Sequence, residues 1–145
     1  MKGANNMLNN SKLKKTGYDL KRIGKGAPKG LDDKIEKGID GIYKNNTPPP
    51  EYVIDEDKYG SSKLNQKVKN KKKPQMSRDW VLDRIKKDKK LTKAEKTDIK
   101  NAIQNNKVDY VVSKIDAKGK VATYKVNETV DASGNVHTSI GSKWP

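Results

Sequence analysis

The sequence predicts a mixed α/β domain of the α+β kind that ends in a β-hairpin. Three observations predict it. Two short apolar segments, at Ile39–Tyr43 and Glu51–Tyr59, read as strands. Two segments with helix start signals follow, and the last third then changes to strand periodicity with hairpin-turn chemistry. That order of strands, helices and hairpin belongs to a sheet with helices packed on it.

Each element has its own local reason. Residues 1–30 are polar and rich in Gly and Lys, and read as a flexible basic lead-in to a domain over 31–145. Leu31-Asp-Asp-Lys-Ile-Glu-Lys37 has apolar residues four apart and suits one or two helical turns, closed by Gly38 in a left-handed cap. Ile39–Tyr43 and Glu51–Tyr59 resemble a hairpin with a long connection through Asn45, Asn46 and Pro48-Pro49-Pro50. Ser77 is the N-cap expected for a helix from Arg78 to about Lys87, with Trp80, Val81, Leu82 and Ile85 on its apolar side. Thr92-Lys-Ala-Glu95 is a capping-box pattern that opens a second helix through about Ile103. Val108–Ile115 and Lys120–Val126 are strands rich in β-branched and aromatic residues, joined by the turn Asp116-Ala-Lys-Gly119. A weaker strand covers Val136–Ile140.

Composition narrows the function classes. The 145 residues carry 33 Lys+Arg against 18 Asp+Glu, a formal charge of +15, with 31% hydrophobic residues and no Phe. That is one domain's length and enough apolar material for one small core. The charge suggests a polyanionic partner, whether nucleic acid, an anionic surface or an acidic protein, with a solvated, solubilising surface as the other reading. Neither lysine cluster carries the apolar face that a membrane-bound helix needs, and no run approaches the ~18 apolar residues of a membrane span. The absence of Cys excludes disulfides, thiolate nucleophiles and Cys-held zinc. A single histidine, His137, excludes multi-histidine metal sites, so any metal must be held by oxygen. The N-terminal run lacks the apolar core of a secretory peptide, as expected of a cytosolic protein or of a fragment whose parent carries the export information.

The informative chemistry lies in Gly38-Ile-Asp40-Gly-Ile-Tyr43 and Val53-Ile-Asp55-Glu56-Asp57-Lys58. Alternate residues of a strand share a face, so Glu56 and Lys58 point the same way. If the two segments pair antiparallel, Asp40 comes near Glu56 at one end of the sheet. Two carboxylates so placed repel, and a divalent cation compensates them better than a lysine alone. Mg²⁺ prefers oxygen ligands and commonly sits on one or two carboxylates plus a substrate phosphate, with Mn²⁺ or Zn²⁺ as substitutes. Lys58 could then orient a water or stabilise charge on phosphorus-bound oxygens. Just beyond the strand, Lys63, Lys67, Lys69, Lys71, Lys72 and Lys73 form a basic loop suited to nucleic-acid phosphates.

Asp40, fifteen intervening residues, and Glu56-Asp57-Lys58 resemble the core motif of the PD-(D/E)xK nuclease superfamily. The resemblance implies a restriction-endonuclease-like fold, a central mixed sheet flanked by helices. It implies Asp40 and Glu56 as metal ligands and Lys58 as the catalytic lysine. Family members often add a Glu on a helix before the first strand, which Glu36 matches, and some carry a downstream Gln, matched by Gln75 in Gln75-Met-Ser-Arg-Asp-Trp80. Gly38-Ile39 stands where the name-giving Pro would be, and Asp55 and Asp57 leave the metal assignment ambiguous by one residue. The run from about Gly38 to Trp80 is similar to C-terminal toxin domains of bacterial polymorphic toxins of the contact-dependent, Rhs and LXG types. This implies a DNase, with RNA as the second substrate class, secreted as part of a larger effector, acting in the cytoplasm of a rival bacterium and silenced at home by an acidic immunity protein.

Other readings stay open on the sequence. Asp40-Gly41 is also a common turn pair, Glu56 and Lys58 also suit a charged edge strand, and Gln75 also suits a helix-opening turn. A non-catalytic nucleic-acid-binding protein explains the charge but not the acidic residues beside Lys58. A metal-independent RNase would rest on His137 as a general base.

Overall fold

The computed structural model describes residues 13–24, 39–66 and 73–145. The helical turns expected over 31–37, with Glu36, and the loop lysines Lys67, Lys69, Lys71 and Lys72 lie outside the described residues.

The described chain forms one six-stranded sheet whose spatial order equals its sequence order: β1 (Leu20–Ile23), β2 (Gly41–Asn45), β3 (Tyr52–Tyr59), β4 (Val108–Ile115), β5 (Val121–Val130) and β6 (Val136–Lys143). All neighbours are antiparallel except β3 and β4, whose parallel register runs from Tyr52↔Val108 to Tyr59↔Ile115. A parallel pair needs a crossover, and the chain supplies it with α1 (Arg78–Lys87) and α2 (Lys93–Gln104). The mixed α+β class is thus as expected. Among the described residues no helix is long and apolar enough to cross a membrane.

Both helices follow their local signals. Ser77 Oγ accepts from Trp80 N at 3.3 Å, and Asp79 in the first turn with Arg84, Lys86 and Lys87 in the last complements the helix dipole. The capping box of α2 is complete: Thr92 Oγ1 accepts from Glu95 N at 3.1 Å and Glu95 Oε1 accepts from Thr92 N at 2.8 Å. Thr92→Ala should lower unfolding free energy by about 1 kcal/mol in urea titration with the slope unchanged.

The sheet has apolar groups on both faces. Ile42, Tyr52, Ile54, Val108 and Val112 pack with Trp80, Val81, Ile85, Ile99 and Ile103 of the helices. The opposite face gathers Leu20, Tyr43, Val53 and Val111 with Leu13 and Trp144. Tyr43 and Trp80 are therefore core residues, at 1% and 5% exposure.

Several boundaries differ from the sequence expectation, including the ends of β2 at Asn45 and of β6 at Lys143. The lead-in contributes an edge strand, β1, paired with β2 from Leu20↔Asn45 to Ile23↔Ile42. Four residues with two lysine-like charges show no usable periodicity, and burial of Leu20 in the second cluster is what holds them. The next strand begins at Gly41 rather than Ile39 because Asp40 turns its side chain, not its backbone ladder, to β3. In β5, pairing continues to Val130↔Val136 although residues 127–130 are exposed, so partner hydrogen bonds and not burial extend the strand.

Candidate functional site

The site is built where β2 ends its pairing with β3. Their register stops at Gly41↔Asp55, so Asp57 lies beyond the last main-chain pair. A strand N–H left there needs an acceptor, and Asp40 Oδ2 takes it at 2.8 Å. This brings the Asp40 carboxylate to the end of β3, beside Glu56. Asp40-Gly41 is therefore not a turn pair: Gly41 opens a strand.

Along β3 the side chains alternate. Tyr52 and Ile54 face the helices while Val53 faces the other cluster, so Glu56 and Lys58 project on the helix side, with Asp55 and Asp57 behind the sheet. Glu56 is 6% exposed, and its Oε2 lies 3.4 Å from Lys58 Nζ and accepts from Gln75 Nε2 at 2.6 Å. Its Oε1 is buried without a hydrogen-bond partner. Burial, and then the charge of Asp40, push the Glu56 carboxyl up to about 8, with Lys58 opposing in part. Asp40, Glu56, Lys58 and Gln75 are brought together at this end of the sheet. Lys63 is exposed just past β3, whereas Lys73 is half-buried at a groove between α1 and α2 rimmed also by Lys86, Lys96 and Lys100.

Gln75 is held in place from three directions. Its N–H donates to Asn65 O at 2.7 Å, its Oε1 accepts from Asn65 N at 3.0 Å, and its main-chain oxygen accepts from Thr138 Oγ1 at 2.8 Å. Because a main-chain N–H can only donate, Asn65 fixes the carboxamide oxygen on its own side and leaves the NH₂ for Glu56. Met76, the next residue, adopts φ 68, a left-handed conformation that costs a side-chain-bearing residue about 1–3 kcal/mol. Its burial at 1% exposure helps offset that cost, and the turn lets Gln75 reach Glu56 while Ser77 caps α1. Glu128 of β5 accepts from Arg78 N at 2.7 Å, which ties the hairpin to the same helix start.

Behind the sheet, Asp55 is fully buried and accepts from Ser113 Oγ at 2.7 Å, and the Ser113 and Thr123 hydroxyls lie 3.0 Å apart. Burial first, then the charge of Asp57, raises the Asp55 carboxyl well above its usual range. The alternation separates Asp55 from Glu56 by a sheet face. His137 lies on β6, more than half exposed, with its Nε2 2.9 Å from Asp131 Oδ2 and no contact to the Asp40–Glu56 group.

The donor set suits a hard cation. Asp40 and Glu56 are adjacent carboxylates, one buried oxygen lacks a partner, and no thiolate or imidazole is near. Among the described residues no group of three or more His, Cys, Asp or Glu side chains is arranged to hold a metal, so the donors are the two carboxylates, and the Gln75 NH₂ steadies Glu56 as a hydrogen-bond donor and not as a ligand. Mg²⁺, which retains several waters, needs no more than that from protein. The supporting residues Arg22, Asn65 and Thr138 had no sequence signal, because each acts through a contact between strands or loops distant in the chain. No family model, curated protein or solved structure matches the chain.

Proposed function

We propose that this chain is a metal-dependent endonuclease of the PD-(D/E)xK, restriction-endonuclease-like kind, hydrolysing phosphodiester bonds of DNA in preference to RNA. The observation that carries the reading is the convergence of Glu56, Lys58 and Gln75 on one face, at 3.4 and 2.6 Å, beside Asp40. Asp40 and Glu56 would hold a divalent cation, Mg²⁺ or Mn²⁺. When bound, such an ion supplies positive charge against the scissile phosphate and acidifies water.

The chain's own groups have distinct tasks. Lys58, 3.4 Å from Glu56 Oε2, would use its three donors to orient the attacking water and to stabilise the extra negative charge on the phosphate oxygens. Gln75 holds Glu56 Oε2 and so keeps the carboxylate from swinging towards Lys58 alone. The +15 charge draws the polyanion in and is screened by salt. As the toxin domain of a larger secreted effector, the chain would act in a rival cell and be neutralised at home by an acidic immunity protein, whose association would be fast for the same electrostatic reason.

The test is a digestion panel with supercoiled plasmid and tRNA, each with Mg²⁺, Mn²⁺ or EDTA. Nicked and linear plasmid with either metal and none with EDTA is the expected result. Degradation of tRNA alone would move the substrate to RNA, cleavage in EDTA would remove the metal, and binding without cleavage would leave a nucleic-acid-binding protein.

A further inference from the structure

Asp40 is held at both ends. Its carboxylate is fixed by the Asp57 N–H, and its main-chain oxygen accepts from Arg22 Nη2 of the edge strand β1. The same guanidinium donates through Nη1 to Tyr43 Oη at 2.8 Å and lies over the Tyr43 ring, 5.4 Å from its centroid. Arg22 and Tyr43 are register partners across β1 and β2, so the sheet itself sets this approach.

Gly41 makes room for it. A β-carbon there would meet Tyr43 Cε1 at 2.8 Å, Arg22 Nη1 at 3.2 Å and Tyr43 Oη at 3.3 Å. The guanidinium and phenol thus lie across the strand at the residue that follows Asp40. Tyr43 is 1% exposed, and a rigid aromatic ring packed in the core is a fixed platform for the guanidinium. A planar guanidinium with Nη2 on the Asp40 carbonyl and Nη1 on the Tyr43 phenol ties these two acceptors at a fixed separation, which a lysine ammonium cannot do.

We propose that Arg22 is the positioning residue of the site: by gripping the Asp40 peptide against Tyr43, it sets the Asp40 carboxylate on the Asp57 N–H and beside Glu56. The consequence for cleavage rests on the nuclease reading above, but the consequence for the Asp57 amide does not. A misplacement of a ligand by a fraction of an ångström through a supporting residue costs about 10–100-fold in activity.

The experiment uses the full chain, ¹⁵N-labelled, as wild type, Arg22→Gln and Arg22→Lys. Three quantities are measured: amide hydrogen exchange at Asp57 against Ile54 and Val112, plasmid cleavage with Mg²⁺, and plasmid affinity in EDTA. In Arg22→Gln the Asp57 amide should exchange roughly tenfold faster or more, with Ile54 and Val112 protected as before. Turnover should fall about 10–100-fold with affinity in EDTA little changed. Arg22→Lys, which keeps the charge on β1 and folds in the same sheet, should recover neither readout fully. Unaltered Asp57 exchange and turnover in either folded variant, with only the melting temperature lowered, would reduce Arg22 to a strand-pairing residue. Full recovery by lysine would make charge the requirement and overturn the clasp. A wild type that cleaves nothing would overturn the nuclease reading, while Asp57 exchange would still decide the role of Arg22.

Discussion

Glu56→Gln is expected to abolish metal-supported cleavage, with a loss of roughly a thousandfold or more in turnover. Glutamine has the same shape and keeps an oxygen for Gln75 Nε2, so the fold survives while the anionic ligand is lost. Lys58→Ala should lose about a hundredfold or more, because among the described residues no other ammonium lies within ion-pair distance of Glu56. Asp55→Asn is the informative control. Its carboxyl sits behind the sheet against Ser113, so turnover of the folded variant should stay near wild type. Steady-state plasmid cleavage on the three variants checks this. A loss in Asp55→Asn as large as that in Glu56→Gln would shift the metal ligand by one residue and reverse the face assignment.

The metal-free protein should lose stability as pH rises from about 4.5 to about 8. In the unfolded chain Glu56 ionises near 4.5, whereas in the folded chain it holds its proton to about 8. Between those values the folded state binds more protons, so raising the pH favours unfolding, with a limiting slope of about 1.4 kcal/mol per pH unit from this group. Asp55, whose carboxyl is raised mainly by burial, adds in the same direction. Asp131, lowered by its hydrogen bond to His137, acts in the opposite sense but below this window. A cation competes with the proton for Glu56, so Mg²⁺ should raise the melting temperature more at pH 8 than at pH 5. Thermal melts at both pH values, in EDTA and in Mg²⁺, measure the effect. Glu56→Gln should reduce the pH dependence to the part that Asp55 contributes and remove the Mg²⁺ increment. A metal-free stability that climbs from pH 5 to pH 8 would contradict the burial of an acid at this position.

Local chemistry carried most of the legible fold. Ser77 and Thr92-Lys-Ala-Glu95 announce α1 and α2 because capping is a matter of a few neighbouring residues. Val108–Ile115 and the Asp116–Gly119 turn are legible for the same reason: β-branched packing and left-handed φ at Gly119 act within a few positions. β1 was not legible. Its four residues are strand only because β2 lies beside them. The outer part of β5 is similar, since residues exposed on both faces leave no period to read.

For the site, strand alternation alone already put Glu56 and Lys58 on one face, because the pleat's period of two needs no partner. Composition alone restricted any metal to oxygen ligands, since there is no Cys and one His. The meeting of Asp40 with Glu56 is of another kind. It needed the β2–β3 register to stop at Gly41↔Asp55, the turn before α1 to bring Gln75 to Glu56, and Arg22 to reach Asp40 from an edge strand. Those contacts join residues 14 to 19 positions apart, and such separations are set by packing and pairing across the sheet, where the free energy depends on which surfaces meet and not on what each segment prefers alone.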